Sequence, residues 1–433
     1  MEAERVKAVG KVLNPKQWFL VLLTVLFVGL SIKYAMKVME GRSAIQRWQN
    51  QILGLEQGED LSEKYQYPNP PIMAILLFPL AKLPGLWMAL IWYYLKVAMI
   101  ILCFQWIFAL VEKDGSPFPF WAKVLTVILS LRPINGDLQH GNVNIFIFFL
   151  VVAGVYLCAK KKDILGGISI GLAISCKVTP ALFIPYFFWK RSWKSLAGVM
   201  LGLILFLWPG IIPGMILGFD ENQKQLYSWY KEMVHPFLVE GKVWSEHNNQ
   251  SFPGLVYRLF THSPSFSDYV DGKYTPLEYH NFADLPVPVI RWLLKGALAC
   301  FALLFFFYCR ADFQKRGGWQ LSTEFALVVL GMLFFSERTW KHHCVTMVFP
   351  FAVLSYLFAI NNNNAGRRLV AILAIVLSSV LMWMTSTGLL KDEFAKEAQV
   401  YGCYTWAFVV LMWALFWFLS REPKADWRGH PVS

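Results

Sequence analysis

The chain has 433 residues, a formal net charge of +12, 56% hydrophobic residues and 16% charged residues. Soluble chains of this length carry about a quarter charged residues and divide into two or three domains, so composition excludes a water-soluble enzyme. Apolar runs of roughly 17–25 residues recur along the whole length, which makes the bilayer the solvent of most of the chain.

In chain order, the runs predict spans at 17–33, 86–110, 119–132, 143–159, 164–176, 179–189, 195–217, 289–308, 321–335, 343–360, 368–389 and 403–419. The expected fold class is an all-α polytopic membrane protein with a bundle of about 12 transmembrane helices. Residues 1–433 are expected to form a single membrane-embedded unit, with a first outer loop at 34–69 and a long outer loop at 218–288. No small-residue cleavage site follows Trp18–Ile32, which reads as a retained span rather than a signal peptide. The spans at 119–132, 164–176 and 179–189 are short, and such helices are tolerated only where protein or a watery cavity surrounds them. Leu226, Tyr230, Met233, Val234 and Phe237 fall at helical spacing and predict a helix lying on the membrane surface. The seven cysteines are scattered, without a CxxC pair, so neither a disulfide framework nor a zinc site is expected.

Twelve spans place both termini and the even loops on one side. That side holds the basic stretches 1–16, AKKKD (159–163), KRSWK (190–194), 309–320, 361–367 and REPKADWR (421–428). The positive-inside rule makes it cytoplasmic, in a cell (inner or plasma) membrane. The net positive charge therefore reports topology, and nucleic acid is not an expected partner. The opposite face collects 34–69, RPINGDLQHGN (132–142), Lys177, the long loop, SERTWKHH (336–343) and 390–402, with seven of the eight histidines. Chemistry or binding is expected on this extracytoplasmic face.

Three stretches carry the candidate residues. SERTWKHH sets Glu337, Arg338, Lys341, His342 and His343 between two apolar runs; the bland reading is a helix end anchored at the headgroups. Adjacent histidines on a helix point about 100° apart, so joint metal binding is not expected, and no cofactor is implied. Lys177 lies between two short apolar segments in GGISIGLAISCKVTPALFIPYFFW (166–189). A lysine near membrane depth is costly and usually faces a cavity or a partner, which suits an anionic ligand, with snorkelling as the alternative. In HGNVNIF, Asn142 and Asn144 stand at the start of a span as caps or ligand contacts. Asn249, Gln250 and Ser251 precede a proline, and Ser251 reads as an N-cap.

These stretches resemble glycosyltransferase family 87, polytopic enzymes of the GT-C class that use polyprenyl-phosphate sugars, typically mannose. The resemblance runs in order through YPNPPIMAILLFPLAKLP (67–84), HGNVNIFIFFL (140–150), GISIGLAISCKVTPALFIPYFFWKRSW (167–193), NNQSFPGLVYRL (248–259) and SERTWKHH. It implies a GT-C-like bundle with its active site on the extracytoplasmic face. It implies a polyprenyl-phosphate sugar donor and a lipid or glycan acceptor hydroxyl, with membrane lipids as surroundings. Lys177, with Arg338 or Lys341, would balance the leaving phosphate. Asn142, His343, Asn249 and Gln250 would touch substrate. The family usually has an aspartate just after the first span, read as the catalytic base. Here that position falls near Arg42-Ser43, without an aspartate; Glu40 could substitute, and Asp60, Asp137 or a histidine of the pair, His342 first, are the other candidate proton acceptors. The competing class is a transporter or flippase for a lipid-linked or anionic substrate. Charges gathered on one face under a long loop favour the enzyme.

Overall fold

The structure is a computed structural model, and it describes residues 13–112, 116–270 and 273–422. The basic N-terminal stretch as far as residue 12, and REPKADWR beyond Glu422, lie outside the described residues. The first helix, α1 (Pro15–Met39), opens at a capping box. The Asn14 and Gln17 side chains each accept the other's backbone N–H, and Pro15 follows the cap. Two short helices come next, α2 (Ala44–Leu53) and α3 (Leu61–Tyr65). Ile45, Trp48 and Ile52 recur on one face of α2, and that face is buried. Then come α4 (Pro71–Ala81), α5 (Gly85–Val111), α6 (Phe120–His140), α7 (Asn144–Ala159) and α8 (Asp163–Cys176). A 3₁₀ turn at Thr179–Leu182 leads into α9 (Phe183–Trp189), α10 (Trp193–Phe206) and α11 (Ile211–Leu217).

The long loop is built from α12 (Phe219–Trp229), a π turn over Tyr230–Val234, α13 (His235–Leu238), α14 (Phe252–Phe260) and an antiparallel hairpin of β1 (Phe266–Val270) and β2 (Lys273–Glu278). The remaining helices are α15 (Val287–Tyr308), α16 (Trp319–Phe334), α17 (Val348–Ile360) after a 3₁₀ turn at Lys341–Met347, α18 (Ala365–Met384), α19 (Asp392–Val400) and α20 (Cys403–Ser420).

Among the described residues, seven helical segments are long and apolar enough to cross a bilayer: 15–39, 85–111, 193–217, 287–308, 341–360, 365–384 and 403–420. Four shorter apolar helices, α4, α7, α8 and α16, run among them. The chain is thus an all-α polytopic membrane protein, though length and apolarity alone do not give the expected twelve spans. One correction concerns RPINGDLQHGN, expected as a loop. It is helical through His140 as the last turns of α6, with Pro133 inside the helix. The helix stops only where Gly141 takes φ +72°, a conformation that disfavours any side chain. A Cβ there would meet Ser43 Oγ and Tyr34 Oη at 2.5 Å.

The centre of the bundle is α16 and α17. They are mostly apolar, and nearly every residue of both is buried around the whole circumference. Around them, α7, α8 and α10 approach through glycines. A Cβ on Gly171 would stand 2.7 Å from the Val199 carbonyl, and one on Gly202 2.9 Å from Gly171 Cα. Small residues repeated every four positions let backbones touch where lipid offers no hydrophobic drive. At the periphery, α1 and α15 turn most of their surface outward.

The segment around α12 reverses the usual amphipathic pattern. Its buried residues are Asn222, Gln225, Ser228 and Trp229, whereas Tyr227 and Tyr230 are exposed. Gln225 donates to the Glu59 carbonyl (2.7 Å) and accepts from the Leu61 amide (3.1 Å), and Ser228 donates to Asp60 (2.7 Å). The polar face clamps the first loop and the aromatic face points away, as an interfacial helix requires.

Candidate active site

The site is built where several helix ends meet at one end of the bundle. Lys96 lies 11 residues inside α5, about 16 Å from its first residue at 1.5 Å per residue, yet it reaches the last turn of α6. Its ammonium, fully buried, donates to the Asp137 carboxylate (3.1 Å), the Asp137 carbonyl (2.9 Å) and the Asn142 carbonyl (3.0 Å). The floor of the site is therefore recessed below the start of α5. Asp137 also accepts from the Asn144 amide (2.9 Å), whose oxygen in turn accepts from Lys177 (2.7 Å). The order Lys96, Asp137, Asn144, Lys177 forms a chain of charge-assisted hydrogen bonds.

Lys177 occupies the break between α8 and the 3₁₀ turn. It faces a cleft lined by Asn144, Thr179, Arg338, Thr339, His343 and Thr346 on the polar side and by Phe148, Met332 and Leu333 on the apolar side. Among the described residues no carboxylate stands within ion-pair distance of Lys177. Arg338 meets Glu337 at 3.3 Å, and its guanidinium lies over the Trp244 ring (4.8 Å) and the Trp340 ring (5.8 Å). In His343, Nδ1 accepts from the Trp340 amide at 3.3 Å. That bond leaves Nε2 as the protonated nitrogen of the neutral ring, a donor rather than a base. The cleft thus offers an ammonium and a guanidinium beside an imidazole ring.

His342 points to the other side of the chain of hydrogen bonds. Its ring, 9% exposed, stacks on His140 at 4.2 Å and meets Asn142 Nδ2 through Nε2 at 3.2 Å. Asn142 Oδ1 accepts from the Val143 amide (2.7 Å), which turns the Asn142 NH₂ toward the imidazole. The Nε2 of His342 is therefore the acceptor nitrogen.

Of the residues the sequence singled out, Lys177, Arg338 and His343 share the cleft, with His342 and Asn142 alongside. Five do not join them. Asp137, a candidate base, is fully buried, and its carboxylate accepts from Lys96 and Asn144. Lys341, expected at the phosphate, reaches away to the Thr385 carbonyl (2.8 Å). Asn249 and Gln250, expected as substrate contacts, are fully buried clamps. Asn249 donates to the Trp244 and Glu337 carbonyls and accepts from the Ser251 and Thr339 amides. Gln250 donates to the His247 and Gln399 carbonyls and accepts from the Tyr404 amide. Together they pin SERTWKHH against the long loop and α20. Glu40, the remaining acid near the first span, caps α1 with a half-exposed side chain paired to Arg42.

Sequence reasoning missed Lys96 and Arg258. Lys96 had a signal, as the lone charge in a 27-residue, mostly apolar helix. Arg258 had none. It is fully buried and donates to the carbonyls of Ser245, Glu246, Asn249, Gln399 and Val400, tying the long loop to α19. In the same loop, burial pushes the His247 imidazole down to about 4, so it adds no charge to the site at neutral pH.

A polyprenol-phosphate-mannose-dependent alpha-(1-2)-phosphatidylinositol mannoside mannosyltransferase of Mycolicibacterium smegmatis is 25% identical over 305 residues, covering 67% of this chain and 59% of the relative. A protein of the same description from Mycobacterium tuberculosis is 26% identical over 325 residues, covering 71% of this chain and 66% of the relative. The chain thus spans about three-fifths of the length of the first of these relatives. Among solved structures, ArnT from Cupriavidus metallidurans in the apo state aligns with a TM-score of 0.41 and 11% identity, over 95% of this chain and 85% of that one. The family model described as Glycosyltransferase family 87 matches residues 67–336, more than half of the sequence, and the chain belongs to that family.

Proposed function

We propose that this chain is an integral membrane hexosyltransferase that moves a hexose, mannose first among the candidates, from a polyprenyl-phosphate donor to the hydroxyl of a lipid or glycan acceptor. The observation that carries the proposal is the cleft in which Lys177, without a carboxylate partner, and Arg338 face the same space beside the His343 ring. Polyprenyl phosphate is the leaving group of such a transfer. Donors preorganised in a recessed, low-dielectric cleft stabilise the charge that develops on it. The apolar wall of Phe148, Met332 and Leu333 suits the first units of a prenyl chain.

The acceptor hydroxyl must lose its proton as it attacks the anomeric carbon. With Asp137 committed and Glu40 paired at the rim, that role falls to His342 Nε2, the lone pair that Asn142 now contacts. Residues 1–433 then act as one GT-C-like membrane unit with this end of the bundle extracytoplasmic and both termini in the cytoplasm.

The decisive experiment incubates purified protein with labelled polyprenyl-phosphate mannose and extracted membrane lipids. Transfer of label to a lipid or glycan product supports the reading, and its absence with every polyprenyl-phosphate sugar tried would refute it. Orientation is tested by Asp268→Cys, at an exposed position of β1. Labelling by an impermeant maleimide in intact cells supports the orientation, and labelling only after lysis reverses it.

A further inference from the structure

One hydroxyl of the cleft is left over by the local fold. Thr24, Thr126, Thr261 and Thr323 each donate to the carbonyl four residues back, at 2.7–2.9 Å, as threonine does in helices. Thr346 does not. It lies in the 3₁₀ turn Lys341–Met347, where three residues complete a turn and the His342 carbonyl is carried off that line. Side chains three apart eclipse in such a turn, so Thr346 stands on the side of His343, and both line the cleft.

Thr346 is 6% exposed, and its Oγ1 has no hydrogen-bond partner among the described residues. The neighbouring hydroxyls are taken. Ser336 donates to the Arg338 carbonyl at 3.1 Å, and Thr339 to the Leu333 carbonyl at 2.7 Å. A buried hydroxyl without a partner is destabilising, so Thr346 calls for an acceptor from outside the chain. Its surroundings name the chemistry. Ile147, Phe148, Met332 and Leu333 form the apolar side of the cleft, and Lys177 and Arg338 bring positive charge to it. An acceptor suited to both is the oxyanion end of an apolar chain. A prenyl chain itself carries no acceptor, whereas the phosphate at its head carries several.

We propose that Thr346 Oγ1 donates to an oxygen of the prenyl-linked phosphate, at the seam between phosphate and chain, and so sets how far the lipid donor enters the cleft. Charge attraction has little directionality, and Lys177 and Arg338 alone would hold a phosphate at several depths. A threonine hydroxyl is directional, and its side chain is stiff at χ1, so it accepts one placement. This rests on the transferase reading above. It adds a positioning residue that the charged groups do not supply.

The test reads binding of farnesyl phosphate, which carries a prenyl chain and a phosphate but no sugar, to the purified full chain in detergent. It does not depend on turnover. Thr346→Val keeps the shape of the side chain and removes the hydroxyl. It should weaken binding about tenfold or more, the value of one hydrogen bond to a charged group. Its thermal stability should equal or exceed that of wild type, because a buried hydroxyl without a partner is gone. Thr346→Ser, which keeps the hydroxyl, should bind close to wild type. Unchanged binding in Thr346→Val overturns the contact and leaves the hydroxyl to the sugar or to water. Equal weakening in the Val and Ser variants, or a loss of stability in Thr346→Val, overturns it as well, since the methyl group or the fold would then account for the effect. Lys177→Ala separates the two readings. If it weakens binding and Thr346→Val does not, only the threonine contact fails. If neither does, the cleft is not a phosphate site and the transferase reading loses its main support.

Discussion

Lys177 and Lys190 hold similar places in the sequence, each immediately after a short apolar helix, and the structure treats them in opposite ways. Lys190, at the end of α9, is met by the Glu324 carboxylate at 2.7 Å and by the carbonyls of Cys309 and Ala311. Glu324 is itself completed by the Ala311 amide and the Tyr186 hydroxyl. Nearby at the same end, Arg316 pairs with Asp163 and Arg367 with Glu422. Lys177, at the end of α8, meets one neutral amide oxygen and open space. Lys341 and Arg132 likewise rest on neutral oxygens, those of Met382 and Thr385. A buried cation whose partners are all supplied belongs to the fold. One left without a counter-charge beside a cleft raises the local potential and is available to an anion from outside.

The contrast can be broken by mutation, beginning where the effect should be largest. Lys190→Ala strands Glu324 in the interior and should cost about 3–5 kcal/mol, read from denaturation of the detergent-purified protein. Wild-type stability in this variant would mean that the pair holds nothing together. Lys177→Ala should do the reverse. It removes an uncompensated charge, so stability should hold, while kcat/KM for the polyprenyl-phosphate donor falls by about 10²–10³, or 2.7–4 kcal/mol. Unchanged donor saturation would take Lys177 out of the site.

Asn249→Ala probes the clamp between the two loops. Four backbone partners lose one amide, and a destabilisation of about 1–3 kcal/mol is expected, visible as earlier proteolysis of the long loop. A fully stable variant with a raised KM would return Asn249 to the substrate. The smallest effect should come from Glu40→Gln. A half-exposed carboxylate at the rim should leave turnover within about twofold, whereas the removal of a general base costs about 10²-fold or more. A hundredfold loss in Glu40→Gln, with near-normal turnover in His342→Ala, would move the proton-accepting role to Glu40.

Much of this protein is decided by sequence alone. Long apolar runs specify membrane helices because hydropathy is a local property that needs no partner to be read. The cleft residues Lys177, Arg338 and His343 stood out for the same reason, as charges and imidazoles where charge is costly. The extent of α6 was harder, because Pro133 and the polar run after it resemble a loop until packing against Lys96 and His342 gives the turn a reason to continue. What only the tertiary structure decided is which polar groups are free. Asn249 and Asn142 look alike in the sequence, yet one spends its amide on Glu337 and Thr339 across some ninety residues and the other turns its NH₂ to His342. Asp137 reads as a possible base until Lys96 arrives from another helix to occupy it. Commitment of a hydrogen bond depends on distant partners brought together by the fold, and that information has no local signature.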